Sequence, residues 1–481
     1  MINTDNVITV PQATLIKESA LSGYKEIPEP ELLFADGKTD KHPLRGLLEY
    51  GPYSAGLGYL NNVKIAFMVA KGHGDKLSQI YKELKKPAKV SDTPQYYPEY
   101  PGFESVFRTP VSIADKDRCI IELPDLLDDY AQQGDYQNLA EALFSTIGKL
   151  KEHRSSFDVL FLFLPDEWDQ CFVKEGFNLH DYLKAYCAPI GVPFQIIKDS
   201  SLKRKCRANV MWGLSLALYA KASGVPWKLN NLSSDVAYIG ISYAVKTNKE
   251  NNEYCTCCSQ IFESDGTGFE FVAYDTKTQF VDRQKNPFLT TEAMQSVLTR
   301  SLQIYQRNNF GKTPKKIIIH KNTHFTQDEI LGALDSFNDG TEIELVQIVE
   351  RTPFVGIKYK NKQADIFPVT RGTYLPISDN EALLWTQGLV PRISLKNPNY
   401  GVYKDFALKK TPSPLLIRRF SGKGGWHDTC QGILGLTKMD WNNNTLHKKL
   451  PVTLGYSSRF AQIVKQNPNI IDEQYNFRYF M

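Results

Sequence analysis

Val236-Ala-Tyr-Ile-Gly-Ile-Ser-Tyr-Ala-Val245 is apolar at nearly every position and rich in β-branched and aromatic residues, so it reads as a buried strand. Ser264-Asp-Gly-Thr-Gly268 is a hairpin signal between two further strands, 254–262 and 269–274. A helix over 291–308, a buried strand over 316–320, a helix over 326–334 and a strand over 343–349 come next. Mixed strands alternating with helices fit an α/β domain of the RNase H-like kind; doubly wound folds share the pattern.

The chain upstream has a different rhythm. Val63-Lys-Ile-Ala-Phe-Met-Val69, residues 158–165 and Val192-Pro-Phe-Gln-Ile-Ile197 read as buried strands. Residues 77–84, 135–152 and 209–223 have helical spacing. Leu139, Leu143, Ile147 and Leu150 share one face of the second helix, and Gly224 and Pro226 stop the third. This alternation predicts a parallel sheet covered by helices. The first 55 residues, rich in Pro, Gly, Lys and Glu, predict an irregular lead-in with a turn at Tyr50-Gly-Pro-Tyr53.

Composition narrows the class. The 481 residues suffice for about three domain-sized units. A hydrophobic share of 42% and a charged share of 23% exclude general disorder. A net charge of +4 neither announces nucleic-acid binding nor excludes a local basic groove. No apolar run is long enough for a membrane helix, and the N-terminus lacks a signal-peptide pattern. Eight cysteines are no disulfide framework, so a reducing cytoplasm is expected.

His180 and Lys184, four residues apart, share a helix face; Gln195 lies in a strand, and Lys221 ends a helix. Two cations, an imidazole and an amide can surround a phosphate. By spacing alone the better reading is His and Lys on a solvated helix face, Gln in a loop and Lys near a helix C-terminus. Cys255-Thr-Cys-Cys258 has no second pair for zinc and alternates across a strand, so small strand residues are the better reading. Ser421-Gly-Lys-Gly-Gly425 lacks both phosphate-loop spacing and a following helix signal. With Arg418, Arg419 and Lys423 it reads as a loop against a nucleic-acid backbone or as a solvated turn. Lys203, Arg204, Lys205 and Arg207 would line a nucleic-acid channel or form an exposed basic loop.

His180-x-x-x-Lys184, Val192-Pro-Phe-Gln195 and Tyr219-Ala-Lys-Ala-Ser-Gly-Val-Pro-Trp227 together resemble the MID-domain phosphate pocket of prokaryotic Argonautes. Ala237-Tyr-Ile-Gly-Ile241, Gln260-x-Phe262 with Asp265-Gly266, and Leu450-Pro-Val-Thr-Leu454 resemble segments of the PIWI domain, the last of them as a strand. Leu32-Leu-Phe-Ala35 and Gly46-Leu-Leu-Glu-Tyr-Gly-Pro52 resemble the family's lead-in. The resemblance spans nearly the whole chain, and the order of these motifs carries it.

It implies a lead-in (1–57), a Rossmann-like MID domain (58–232) and an RNase H-like PIWI domain (233–481), the arrangement of a short Argonaute. It implies that His180, Lys184, Gln195 and Lys221 grip a guide 5′-phosphate, with Mg²⁺ held by Gln195 and the Met481 carboxylate. Cleavage by this fold needs carboxylates on two metal ions. Ser242 stands where the first is expected, Lys321-Asn-Thr-His324 holds no acid, and Tyr456-Ser-Ser-Arg-Phe460 replaces the last, its arginine opposing metal if turned inward. No target cleavage is therefore expected, and the chain itself is expected not to be an enzyme. The resemblance further implies a guide RNA, a complementary single-stranded DNA target, and a separate APAZ-containing effector, a sirtuin-like or TIR NADase. The Phe477–Tyr479 region and the residues after it resemble the sirtuin-associated type more closely. A bacterial cytoplasm follows from the family. The competing readings are an active guided endonuclease and a guide-free structural subunit.

Overall fold

The computed structural model describes residues 23–481 apart from 59, 92–96, 231–234, 248–252, 264, 277–279, 282–285, 338–339, 366, 398–400, 403–410, 468–469 and 471–473. The lead-in is more ordered than its composition predicts. It supplies a short strand, β1 (Lys25–Glu26), and a helix, α1 (Pro43–Tyr50). His42 caps α1, its Nδ1 accepting from the backbone N–H groups of Leu44 and Arg45, and Pro43 takes the first turn, where no N–H is needed. Gly46 lets α1 press on Phe34, because a Cβ there would lie 2.2 Å from the ring. Phe34, Leu44 and Leu47 are fully buried, and that burial offsets the cost of ordering the segment.

The first lobe is a parallel sheet of β2 (Val63–Val69), β3 (Val111–Ile113), β4 (Ile120–Glu122), β5 (Val159–Leu164) and β6 (Phe194–Lys198). The order is β6-β5-β2-β3, with β4 also paired to β2. Helices α2 (Gly74–Lys85), α3 (Tyr136–Gly148), α4 (Leu179–Cys187) and α5 (Arg207–Lys221) cover both faces. Alternation along the strands explains why. Leu160, Leu162 and Leu164 pack with Leu143 of α3 and Leu183 of α4, while Phe161 and Phe163 pack with Ile80 of α2 and Trp212 of α5.

The second lobe is a ten-stranded mixed sheet. Its parts are β7 (Val236–Thr247), β8 (Glu253–Glu263), β9 (Gly268–Thr276), α6 (Thr291–Asn308), β10 (Lys316–Lys321), α7 (Gln327–Leu334), β11 (Glu342–Val349), β12 (Thr373–Pro376), β13 (Glu381–Leu384), β14 (Leu415–Ser421), α8 (Trp426–Leu436), α9 (Val452–Val464) and β15 (Gln474–Tyr475). The order is β1-β12-β13-β14-β11-β10-β7-β8-β9-β15. Strands β7, β10 and β11 are mutually parallel neighbours, and the flanking pairs are antiparallel. The lead-in thus closes one edge of the second lobe through β1 on β12.

Two local expectations are overturned. Leu450-Pro-Val-Thr-Leu454 opens helix α9 and is not a strand: Pro451 is the extended N-cap, and Leu454, Ser457, Phe460, Ala461 and Val464 then recur at helical spacing on a buried face. Helix α8 follows Gly425 directly, against the expectation of no helix after the glycine run. Helix α9 lies across β7 and β8. It can do so because residue 240 is glycine; a Cβ there would sit 2.0 Å from the Thr453 carbonyl oxygen. Among the described residues, no helix is long and apolar enough to cross a membrane.

Candidate nucleic-acid interface

Asn178 starts α4, its side chain accepting from the Asp181 N–H. The helix then sets His180 and Lys184 one turn apart. Gln195 is the second residue of β6, and Lys221 is the last of α5. The fold brings the last two together: Lys221 Nζ donates to Gln195 Oε1 at 2.7 Å. Lys184 is 1% exposed and Lys221 2%. Neither is the solvated lysine that spacing alone allows.

The second lobe adds a residue whose position sequence reasoning missed. Arg459 of α9 points at the first lobe. Its Nη2 donates to His180 Nδ1 at 2.8 Å and its Nη1 to Asp181 Oδ2 at 3.0 Å. A second bond joins Nη2 to Asp181 Oδ1. Arg459 therefore faces the lysine pocket rather than the centre of the large sheet, where it would oppose metal. Reading 450–454 as a strand hid this, since the helix register decides where residue 459 points.

Charge in the pocket is lopsided. Burial, then the nearby Lys221 and Arg459 charges, drives the Lys184 ammonium well below its ordinary pKa. Burial alone brings Lys221 down to about 7. Burial, then Lys184, keeps the His180 imidazole neutral at pH 7. Burial would raise Asp181, but its bonds to His180 and Arg459 outweigh that and hold its carboxyl below the usual range. Asp181 is the carboxylate acting on Lys184 against Lys221 and Arg459. An arriving anion would satisfy these groups better than water can reach them.

A cavity of about 830 Å³ adjoins Gln195 and runs between the lobes. Arg204 and Asn209 line it from one side, Gln387, Asn444 and His447 from the other. Asn444 Nδ2 donates across the gap to Asn209 Oδ1 at 2.6 Å. Met481 is 5% exposed and lines a separate small cleft with Arg459.

The expected backbone-contacting cations divide. Lys203, Arg204, Lys205 and Lys423 are exposed. Arg207 is tied to Glu83, its Nε 3.0 Å from the carboxylate. Arg418 pairs with Glu381 at 2.6 Å. Arg419 corrects the surface-loop reading: it is 7% exposed, bonded to Glu344 at 2.9 Å and to Thr429 at 3.0 Å. It belongs to the interior of the sheet.

At the centre of the large sheet, Ser242 Oγ lies 3.5 Å from Ser458 Oγ. His320 Nδ1 is 2.8 Å from Thr453 Oγ1. Lys321, opposite Ile241 on the neighbouring strand, is fully buried against Glu329, with the Phe288, Tyr243 and Phe325 rings around its ammonium at 4.9, 5.2 and 5.3 Å. Among the described residues, no group of three or more His, Cys, Asp or Glu side chains is arranged to hold a metal ion. Of the cysteine run, Cys257 is buried in β8.

Arg459→Gln gives a direct check on the joint between the lobes. It should weaken binding of a phosphorylated oligonucleotide end at this pocket, if one is taken there, roughly tenfold, the worth of one charge-assisted bond of about 1.5 kcal/mol. It should also leave Asp181 opposite Lys184, so the pocket keeps a cation–carboxylate pair. Unchanged affinity in filter binding would show that Arg459 serves only the joint.

The parallel-sheet lobe and the mixed-sheet lobe together have the fold of solved Argonaute structures. The chain is similar to the Argonaute of Aquifex aeolicus (strain VF5), at 23% identity over 344 residues, which is 71% of this chain and 43% of that protein. Among solved structures, Clostridium butyricum Argonaute bound to a guide DNA and a 19-mer target DNA superposes with a TM-score of 0.66 at 17% identity, over 95% of this chain and 55% of that one. Aquifex aeolicus Argonaute with externally bound siRNA gives 0.61 at 16% identity, over 96% and 56%. The chain thus spans less than half of the curated relative and little more than half of the solved ones. No protein-family model matches it.

Proposed function

We propose that this chain is an Argonaute of the short type that binds a 5′-phosphorylated guide RNA and uses it to recognise complementary single-stranded DNA. The buried, anion-poor cluster of Lys184, Lys221 and Arg459 carries the reading. His180, Lys184, Gln195 and Lys221 contact the phosphate, and the cavity between the lobes takes the nucleotides after it. Base pairing then supplies sequence recognition while the protein reads backbone and shape. Mg²⁺ belongs to the same proposal, held by Gln195 and the Met481 carboxylate. Gln195 offers a hard oxygen, but Lys221 already donates to it. A dication should therefore bind only once the phosphate charge is present.

The target is bound and not cut. Supporting this, hydroxyls of Ser242 and Ser458 face each other where the sheet and α9 meet, and neutral oxygens do not bridge two dications. The readout then lies in a second polypeptide, an APAZ-containing NADase in a bacterial cytoplasm that starves invaded cells of NAD. This last step rests on the family resemblance. The test is a titration of matched 5′-phosphate and 5′-hydroxyl RNAs with and without Mg²⁺, followed by addition of complementary DNA. Preference for the phosphate, strengthened by Mg²⁺, with intact target, supports the reading. Equal binding of both ends would overturn it, and guide-dependent target cutting would replace it with the nuclease reading.

A further inference from the structure

We propose that Arg154 and Arg478 form a second anion seat, beside the lysine pocket, that takes one phosphodiester of the nucleic-acid backbone. The proposal rests on the reading that the chain binds a guide.

Arg154 lies in the 3₁₀ turn Lys149–Ser156, just before β5. Its Nε donates to the Gly191 carbonyl at 2.5 Å and its Nη1 to the Phe157 carbonyl. Arg478 lies in the 3₁₀ turn Phe477–Tyr479. Its Nη1 donates to Ser223 Oγ and its Nη2 to Tyr479 Oη at 3.0 Å. The Tyr479 hydroxyl rests on Gly191, where a Cβ would lie 3.6 Å from it. Both guanidinium groups therefore converge on one spot, floored by Gly191 and Tyr479.

Three observations mark this spot as a seat for an anion. The hydrogen-bond partners of the two arginines are neutral oxygens, the Asp158 carbonyl among them at 3.5 Å, and among the described residues neither arginine has a carboxylate within ion-pair distance, the Asp158 carboxylate acting on Arg154 only from beyond it. Arg478 Nε is buried with no hydrogen-bond partner. Burial, then the Arg478 charge itself, holds the Arg154 guanidinium below its ordinary pKa, as two like charges at close quarters should. A tetrahedral anion with several acceptor oxygens suits two planar forks better than a hydroxyl or a carbonyl does. The position indicates which anion. Ser223 comes two residues after Lys221, and Gly191 four residues before Gln195. The seat begins where the lysine pocket ends, so a strand anchored there by its end would carry a later phosphate over it.

The experiment uses the full chain, single-stranded RNA with either a 5′-phosphate or a 5′-hydroxyl, and a salt series. Arg478→Gln should lower affinity for both RNAs by the same factor, about tenfold, leaving their ratio intact. The slope of log affinity against log salt should fall by about 0.7, one phosphate on a single strand. Arg478→Lys should restore the slope. Neutralising the RNA linkages one at a time as methylphosphonates should reveal one linkage whose loss weakens the wild type about tenfold and Arg478→Gln not at all. Arg154 also braces two carbonyls, so Arg154→Gln is the supporting variant and Arg478→Gln the deciding one. An unchanged slope, or no linkage with that behaviour, overturns the seat. A collapse of the 5′-phosphate preference in Arg478→Gln also overturns it, by making Arg478 part of the lysine pocket. If the wild type shows no 5′-phosphate preference but the slope still falls, the guide reading fails and the seat stands.

Discussion

In a Lys184→Ala, Lys221→Ala double variant, 5′-phosphorylated and 5′-hydroxyl guides should bind alike. Each lost charge-assisted bond is worth about 1.5–3 kcal/mol, so the pair accounts for a factor on the order of 10² to 10⁴ in preference. The same variant should be more stable without guide than the wild type. Burial disfavours the charged form of both lysines, a cost that the Gln195 bond and the Asp181 carboxylate offset only in part, and alanine removes it. A merely structural pair of lysines would show the opposite pattern, with lower stability and no change in preference. The pH dependence has a definite sign. Lys221 titrates near 7 in the folded chain and well above that when unfolded, so the unfolded state binds more protons between those values. The guide-free protein should therefore gain stability as pH rises from about 7 toward 10. Guide binding should take up a proton near pH 7, and raising the pH past that point should weaken it. Thermal melts with and without guide across this range read both effects.

Gly240→Ala should disrupt the second lobe by about 3 kcal/mol or more, at the high end for overpacking. The added Cβ would stand 2.0 Å from a backbone carbonyl, and a backbone atom cannot rotate away. Trimming the helix side chain, as in Thr453→Gly, should give no rescue. Denaturant melts of the two variants and their combination decide this. A mild effect, or rescue by the second substitution, would mean that α9 rides further from the sheet. The pocket should suffer in step, because the same helix presents Arg459 to His180 and Asp181.

Legibility in the sequence followed the range of the interaction. Strands such as β5 and β7 announce themselves because burial on both faces demands continuous apolar residues. His180 and Lys184 could be grouped because a helix fixes their spacing. The Gln195–Lys221 bond is tertiary, and resemblance rather than spacing suggested it. Arg459 meets a partner from the other lobe, and a proline followed by apolar residues reads equally as a strand or as the first turn of a helix. That ambiguity at Pro451 concealed the arginine. Arg419 shows the converse: a cation beside glycines looks like surface, and only the buried Glu344 across the sheet reveals otherwise. The order of the lead-in is not legible because its polar composition hides a few well-placed apolar side chains, Phe34 and Leu44 among them.

Glu29, in that lead-in, has a topological consequence. Its carboxylate sits between Arg371 Nε and Lys438 Nζ, each at 2.8 Å, and all three side chains are buried. The two cations hold Glu29 down to about 2 even though burial, the largest influence, pulls the other way. Both cations belong to the second lobe. The chain thus enters the second lobe first, leaves it to build the parallel-sheet lobe, and returns. In assembly terms, the parallel-sheet lobe is an insertion within its neighbour. Severing the chain near residue 232 would not yield two independent modules: the downstream fragment would hold two uncompensated interior cations and an open sheet margin at β12, inviting aggregation. Supplying residues 23–57 as a separate peptide should mend that fragment.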